Sequence, residues 1–209
     1  DFSKRFPEQT KELLPVCYEN MAEIAMFFGR TKDQMRHMQD MLSAQEKISA
    51  PLSEGTLSAR VKLADARSST GDVELARAGY EGVIGSIRGS KTAMDNKAAL
   101  KILVAAQYRL GVMESHQGNL SRTLELLKSA RRDGELAFGT DATEMMNIYL
   151  DLAKVALGQK EYDTGLEAYR AILSLRRKHL GPDHKETVET EKVLLEVTED
   201  VERVRAAKK

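Results

Sequence analysis

Across 209 residues, 32 Lys and Arg balance 32 Asp and Glu, so no net field draws the chain onto nucleic acid or anionic lipid. Aromatic residues make up 5 % with no Trp, which leaves little for base stacking, and no apolar run reaches the roughly 18 residues that a helical membrane span needs. The single cysteine, Cys17, excludes an internal disulfide framework; inside the apolar run Leu13 to Phe28 it reads as a buried structural thiol rather than a nucleophile.

In chain order the hydrophobic spacing predicts nine helices: about 8–28, 31–48, 53–70, 73–88, 95–117, 120–137, 142–158, 161–179 and 184–206. Almost no β-branched run of period two occurs, and the class expected is all-α. Pro51 and Pro182 fall in connections, with Pro7 and Pro15 near the start, so proline and glycine read as punctuation between helices. Asp141-Ala142-Thr143-Glu144 and Asp183-His184-Lys185-Glu186 have capping-box spacing, and a glycine-bearing turn precedes each, at Gly139 and Gly181. Residues 86–97 lengthen one connection and read as a longer solvated loop.

Within the first eight helices one pattern returns four times. Met21-Ala22, Leu63-Ala64, Leu110-Gly111 and Leu152-Ala153 are the same pair of slots, separated by 42, 47 and 42 residues. Gly29, Gly71, Gly118 and Lys160 follow at one fixed offset. Self-similarity at this period marks an array of helical hairpins, none of which can bury its apolar face alone. The hairpins expected are about 11–50, 53–94, 95–140 and 142–183, within a single solenoid spanning 1–209. The second helices carry inward stripes: Met35, Met38 and Met41; Ala76, Tyr80 and Val83; Leu124, Leu127 and Ala130; Leu166, Tyr169 and Leu173. The methionines, with Met21 and Met26, read as core ahead of an adaptable binding surface. The last helix, 184–206, has one seam of Leu194, Val197, Val201 and Val204 on an otherwise charged surface, which suits a terminal cap.

The stretch Leu152 to His184, LAKVALGQKEYDTGLEAYRAILSLRRKHLGPDH, resembles the tetratricopeptide repeat (TPR) family in its long, roughly 42-residue, kinesin-light-chain-like form: a Leu-Ala…Tyr…Ala…Tyr…Ala-Leu hairpin followed by a Leu-Gly-x-Asp-His turn. Gly165 stands where that family prefers Ala, and Thr123 and Gln34 fill the same slot elsewhere. The resemblance implies a right-handed superhelix whose concave groove, lined by the first helix of each hairpin, holds a peptide or a helix of another protein. Placed in register, the groove candidates are Glu19, Glu23, Met26, Ser58, Val61, Lys62, Asp65, Tyr108, Arg109, Val112, Asn147, Leu150 and Lys154. Relatives that clamp the acidic tails of heat-shock chaperones carry cationic and amide anchors there. Glu19 and Glu23 reverse that sign, which argues against such a ligand.

Other motifs have plainer readings. Gly85-Ser86-Ile87-Arg88-Gly89-Ser90-Lys91-Thr92 misses the phosphate-loop spacing and follows no strand. His179 and His184 flank a turn without a third ligand. Asn119-Leu120-Ser121 is a sequon inside a tight turn, and Arg176-Arg177-Lys178-His179 complements a helix C-terminus. No nucleophile–base constellation, cofactor motif or metal set emerges. The function expected is a non-catalytic protein–protein interaction scaffold, a subunit or assembly factor of a larger complex, with other proteins as partners and no nucleic acid or membrane insertion. The alternatives are a transient peptide adaptor using the groove, and an enzyme or small-ligand domain with a site between repeats formed by Tyr108, Arg109, Asn147 and Lys154. The start at Asp1 leaves cytoplasm or, after removal of a leader, an organelle such as the mitochondrion as the compartment.

Overall fold

The structure, a computed structural model, describes residues 7–207. Its helices are α1 (Pro7–Phe27), α2 (Thr31–Ile48), α3 (Glu54–Ser69), α4 (Val73–Arg88), a short α5 (Lys91–Met94), α6 (Lys97–His116), α7 (Leu120–Ala137), α8 (Met146–Gly158) with a leading 3-10 turn at Thr143–Met145, α9 (Tyr162–Leu180) and α10 (Lys185–Ala206). No strand occurs among the described residues. The chain divides into two compact units, residues 1–113 and 114–209, with the boundary inside α6. In the first unit α1 packs on α2, α2 on α3 and α3 on α4. In the second, α7 packs on α8, α8 on α9 and α9 on α10.

The tight turns explain why the period is legible. Gly29, Gly71, Gly118 and Lys160 all adopt left-handed backbone, with φ of 67°, 87°, 78° and 64°. After each, the next amide donates five residues back: Arg30 to the Ala25 carbonyl at 2.8 Å, Asp72 to Arg67 at 2.9 Å, Asn119 to Glu114 at 2.9 Å and Glu161 to Ala156 at 2.8 Å. This is the Schellman closure, which satisfies the last helical carbonyls and is easiest for glycine. Lys160 does the same job with a side chain, at a conformational cost.

Close packing inside the hairpins uses the paired slots. Ala22, Ala64, Leu110, Leu152 and Ala153 are all fully buried. Gly79, inside α4, lies where an added Cβ would stand 3.0 Å from the Ala64 methyl carbon, so small residues on both helices set their approach. The slot held by Gln34, Ala76, Thr123 and Gly165 is buried in every repeat. Gly165 is not a loose fit: a Cβ there would meet the Leu157 side chain at 2.7 Å, so the glycine makes room for that leucine.

Several expectations change. Pro15 sits inside α1 and is buried. Glycines also occur inside helices, Gly79 and Gly165 among them. Neither aspartate of the two capping boxes caps. Ala142 is the N-cap of the 3-10 turn and has no side-chain bond, because Asp141 turns away to an ion pair with Lys178 at 2.7 Å. At α10 the cap is His184, whose Nδ1 accepts from the Glu186 amide at 3.3 Å. Side-chain caps come instead from Ser53 on the Thr56 amide, Ser90 on the Ala93 amide and Asn96 on the Ala98 amide. The 86–97 connection is no open loop: α5 forms within it and buries Ala93. Cys17 is exposed, as are Met21 and Met26, while Met41 is core; the apolar run on α1 exceeds what α2 covers. On α10, Thr187, Thr190 and Val201 are buried, Leu194 and Val197 are half-buried and Val204 is exposed.

Candidate functional site

In the first unit, α3 and α6 bound a cavity of about 380 Å³ lined by Glu54, Ser58, Val61, Lys62, Lys97, Ala98, Lys101, Ile102, Ala105 and Arg109. Four of its residues are cationic and one is acidic. A neighbouring pocket of about 360 Å³ is lined by residues of α1, α2, α3 and α6, including Glu19, Glu23, Met26, Met38, Lys62, Asp65 and Arg109. Lys62 and Arg109 line both, and each is held by a carboxylate on the acidic side: Lys62 by Glu19 and Arg109 by Asp65.

Asp65 is doubly engaged. The Tyr80 hydroxyl donates to its Oδ1 at 2.6 Å, which ties α4 to the same carboxylate that holds α6. Burial raises the Tyr80 phenol to about 12, because the phenolate would lose its water. The same cause lowers the Arg109 guanidinium from its ordinary value. The charges of the pocket floor are thus paired with one another, Lys62 with Glu19 and Arg109 with Asp65.

Of the sequence-predicted groove residues, the structure brings Glu19, Glu23, Met26, Lys62, Asp65 and Arg109 to the acidic pocket, and Ser58, Val61, Lys62 and Arg109 to the basic one. Tyr108 and Val112 lie half-buried on the same helix α6 and line neither cavity. In the second unit Asn147, Leu150 and Lys154 occupy successive turns of α8, with Asn147 and Lys154 exposed and Leu150 half-buried. Sequence reasoning missed Lys97 and Lys101. Their i, i+4 spacing, continued by Ala105 and Arg109, marked one face of α6.

The remaining motifs are absorbed by structure. His179 Nε2 lies 2.9 Å from the Asp141 carbonyl. Arg176 donates to Thr190 Oγ1 at 2.5 Å and to the Glu186 carbonyl at 2.9 Å, and Arg177 pairs with Glu191 at 2.7 Å. The basic cluster therefore clamps α9 to α10 beyond any dipole effect. Asn119 donates its side-chain amide to Glu114 at 2.6 Å. Among the described residues no helix is long and apolar enough to cross a membrane, and no group of three His, Cys, Asp or Glu is placed to hold a metal.

No sequence family matches the chain, and no curated protein is similar to it in sequence. Its similarity is in three dimensions. The crystal structure of BtubC (BKLC) from P. vanneervenii is similar with a TM-score of 0.73 at 13 % identity, over 98 % of this chain and 80 % of that one. A putative kinesin light chain from Podosopora anserina, described as having nearly identical TPR-like repeats, is similar with a TM-score of 0.62 at 14 % identity, over 97 % of this chain and 99 % of that one. At such identities the likeness speaks for architecture alone. Together with the recurring slots and turns, it gives this chain the TPR-like helical-repeat fold.

Proposed function

We propose that this chain is a non-catalytic interaction scaffold, a subunit or assembly factor of a larger protein complex. The observation that carries the reading is apolar surface left bare on α1. Phe27 is 83 % exposed, with Leu13, Val16 and Ile24 each more than half exposed, and Phe28, in the turn just beyond the helix, is 65 % exposed. Apolar side chains clustered on one helix face favour a lasting protein contact over a solvated edge. Native purification through a high-salt wash is the test. A permanent subunit brings its partners at fixed stoichiometry, whereas a chain recovered alone after the wash would refute the reading.

A transient peptide adaptor is the second reading, supported by the cavity where Lys97 and Lys101 stand beside Lys62 and Arg109, the latter two already paired with Glu19 and Asp65. That balance suits an acidic segment. Lys97→Glu with Lys101→Glu would then abolish ligand binding while leaving partners held through α1 in place. An enzyme is supported least, since Arg109 is already neutralised by Asp65.

A further inference from the structure

Two ion pairs join successive first helices in the first unit, and they are not made alike. Lys62 and Arg109 occupy one slot of the repeat, and Glu23 and Asp65 occupy the slot three residues further on. Arg109 pairs with Asp65 of the preceding repeat, but Lys62 pairs with Glu19 in place of Glu23. The Glu23 side chain has no ion pair or hydrogen bond among the described residues. The repeat pattern assigns that carboxylate to a cation, and this chain supplies none.

Gln34 on α2 points to the same place independently. It is 6 % exposed and lines the same pocket of about 360 Å³ as Glu23. Its side-chain amide makes no hydrogen bond among the described residues and is not sealed in, so the little of Gln34 that reaches open space is the amide, facing the pocket. Buried polar groups are ordinarily paired. The same slot obeys that rule elsewhere: Ala76 and Gly165 have no polar side-chain atom, and the Thr123 hydroxyl donates to the Asn119 carbonyl at 3.2 Å. Nor would a hairpin ahead of α1 close the slot of Glu23. Its equivalents Asp65 and Lys154 are half-buried and exposed, although α2 packs against α3 and α7 against α8.

We propose that this pocket receives an arginine side chain of a partner protein, its guanidinium held by Glu23 and Gln34 and its stem laid against Met26 and Met38. A guanidinium carries five donors in a planar fork. The Glu23 carboxylate and the Gln34 carbonyl accept from it, and so can Ser69, whose hydroxyl donates to the Ala66 carbonyl at 2.8 Å and keeps its lone pairs. Met26 and Met38, both lining the pocket, are adaptable apolar walls for an aliphatic stem. The chain already makes such a contact one repeat later, where Asp65 holds Arg109 with the Tyr80 hydroxyl as its second partner at 2.6 Å. An acidic ligand fits poorly, because both cations of the pocket are paired and Glu23 would repel it. The site is separate from the bare face of α1 and rests on neither reading of the function.

The probe is the capped tripeptide acetyl-Ala-Arg-Ala-amide, titrated into the full chain labelled with carbon-13 at its methionine methyl groups. The comparison peptide carries citrulline, which keeps the shape of arginine and loses its charge. The Met26 and Met38 signals, assigned through Met26→Leu and Met38→Leu, are expected to shift saturably with the arginine peptide and not with the citrulline one. Glu23→Gln is expected to weaken binding at least about tenfold, as loss of a charge-assisted hydrogen bond does. Glu23 is exposed, so this variant keeps its fold. Gln34→Ala is expected to weaken binding about threefold or more while Tm holds or rises, because the fully buried Ala76 shows that alanine fits this slot. Absence of a saturable shift, an equal response to citrulline, or binding that either variant leaves unchanged would overturn the proposal. Those results leave the salt-wash test and the Lys97 and Lys101 test untouched, so this assignment and the readings of function fail separately.

Discussion

Helices α1 and α8 fill the same slots of the repeat and meet opposite environments. Leu152 of α8 is 0 % exposed and its equivalent Met21 is 38 % exposed; Ile148 is buried and its equivalent Cys17 is exposed. Both helices pack on their own second helix, α1 on α2 and α8 on α9. What differs is the preceding neighbour: α8 has α7 against it, while nothing described covers that face of α1. A slot in a helical repeat is thus not intrinsically core. It becomes core when the adjoining hairpin supplies the other wall, which is the nearest-neighbour logic of such arrays.

The sharpest way to break this comparison is to truncate the two equivalents. Leu152→Ala leaves a cavity in a closed site and is expected to cost about 2–5 kcal/mol. Met21→Ala removes a side chain still partly in water and should cost roughly 1 kcal/mol or less. Urea titration followed by circular dichroism checks both, and equal costs would show that this face of α1 is covered in solution.

A smaller effect is expected at Gly165. Glycine to alanine inside a helix ordinarily stabilises by about 0.5–1 kcal/mol, yet the added Cβ would lie 2.7 Å from Leu157. Gly165→Ala is therefore expected to destabilise by about 1–3 kcal/mol. Leu157→Ala in the same chain should remove most of that additional penalty, a coupling that a double-mutant cycle reads directly.

Smaller again is the turn. Lys160→Gly relieves left-handed backbone at φ 64° and should stabilise by about 0.5–1 kcal/mol, seen as a rise in Tm. Gly118→Ala, the reverse change at the equivalent turn, should destabilise by a similar amount.

The last effect appears only in alkali. The folded Tyr80 phenol, raised to about 12, holds its proton above pH 10, where the unfolded phenol has lost its own. The unfolded state then binds fewer protons, so stability falls as pH rises from about 10 through 12. Tyr80→Phe should flatten that part of the profile, and ultraviolet titration of the phenolate should show the late step disappear. A Tyr80 that ionises near pH 10 would contradict the burial of its hydroxyl against Asp65.

Particular residues show how far the sequence could be read. The left-handed turns were legible because a backbone requirement is local: Gly29, Gly71 and Gly118 announced it, and the fixed offset located Lys160. The inward stripes were legible for the same reason, since Tyr80, Val83, Leu127 and Ala130 face the core by helical spacing alone. The caps misled because Asp141 had two attractive outcomes. The free amides of the first turn and Lys178 both suit a carboxylate, and only the folded chain brings Lys178 within 2.7 Å of it. The basic cavity was half legible: Lys62 and Arg109 came from the repeat register, but Lys97 and Lys101 required knowing how α6 faces α3.

By itself the sequence determined the helices, their turns and the recurrence of one hairpin, because each follows from short-range backbone geometry and the spacing of apolar residues. Tertiary structure decided which equivalent slots are buried, which carboxylate meets which cation and that Cys17 lies in the open. Burial and charge pairing depend on neighbours that are distant along the chain, and the same side-chain pattern can serve as a core or as a contact surface depending on whether a neighbouring helix lies against it.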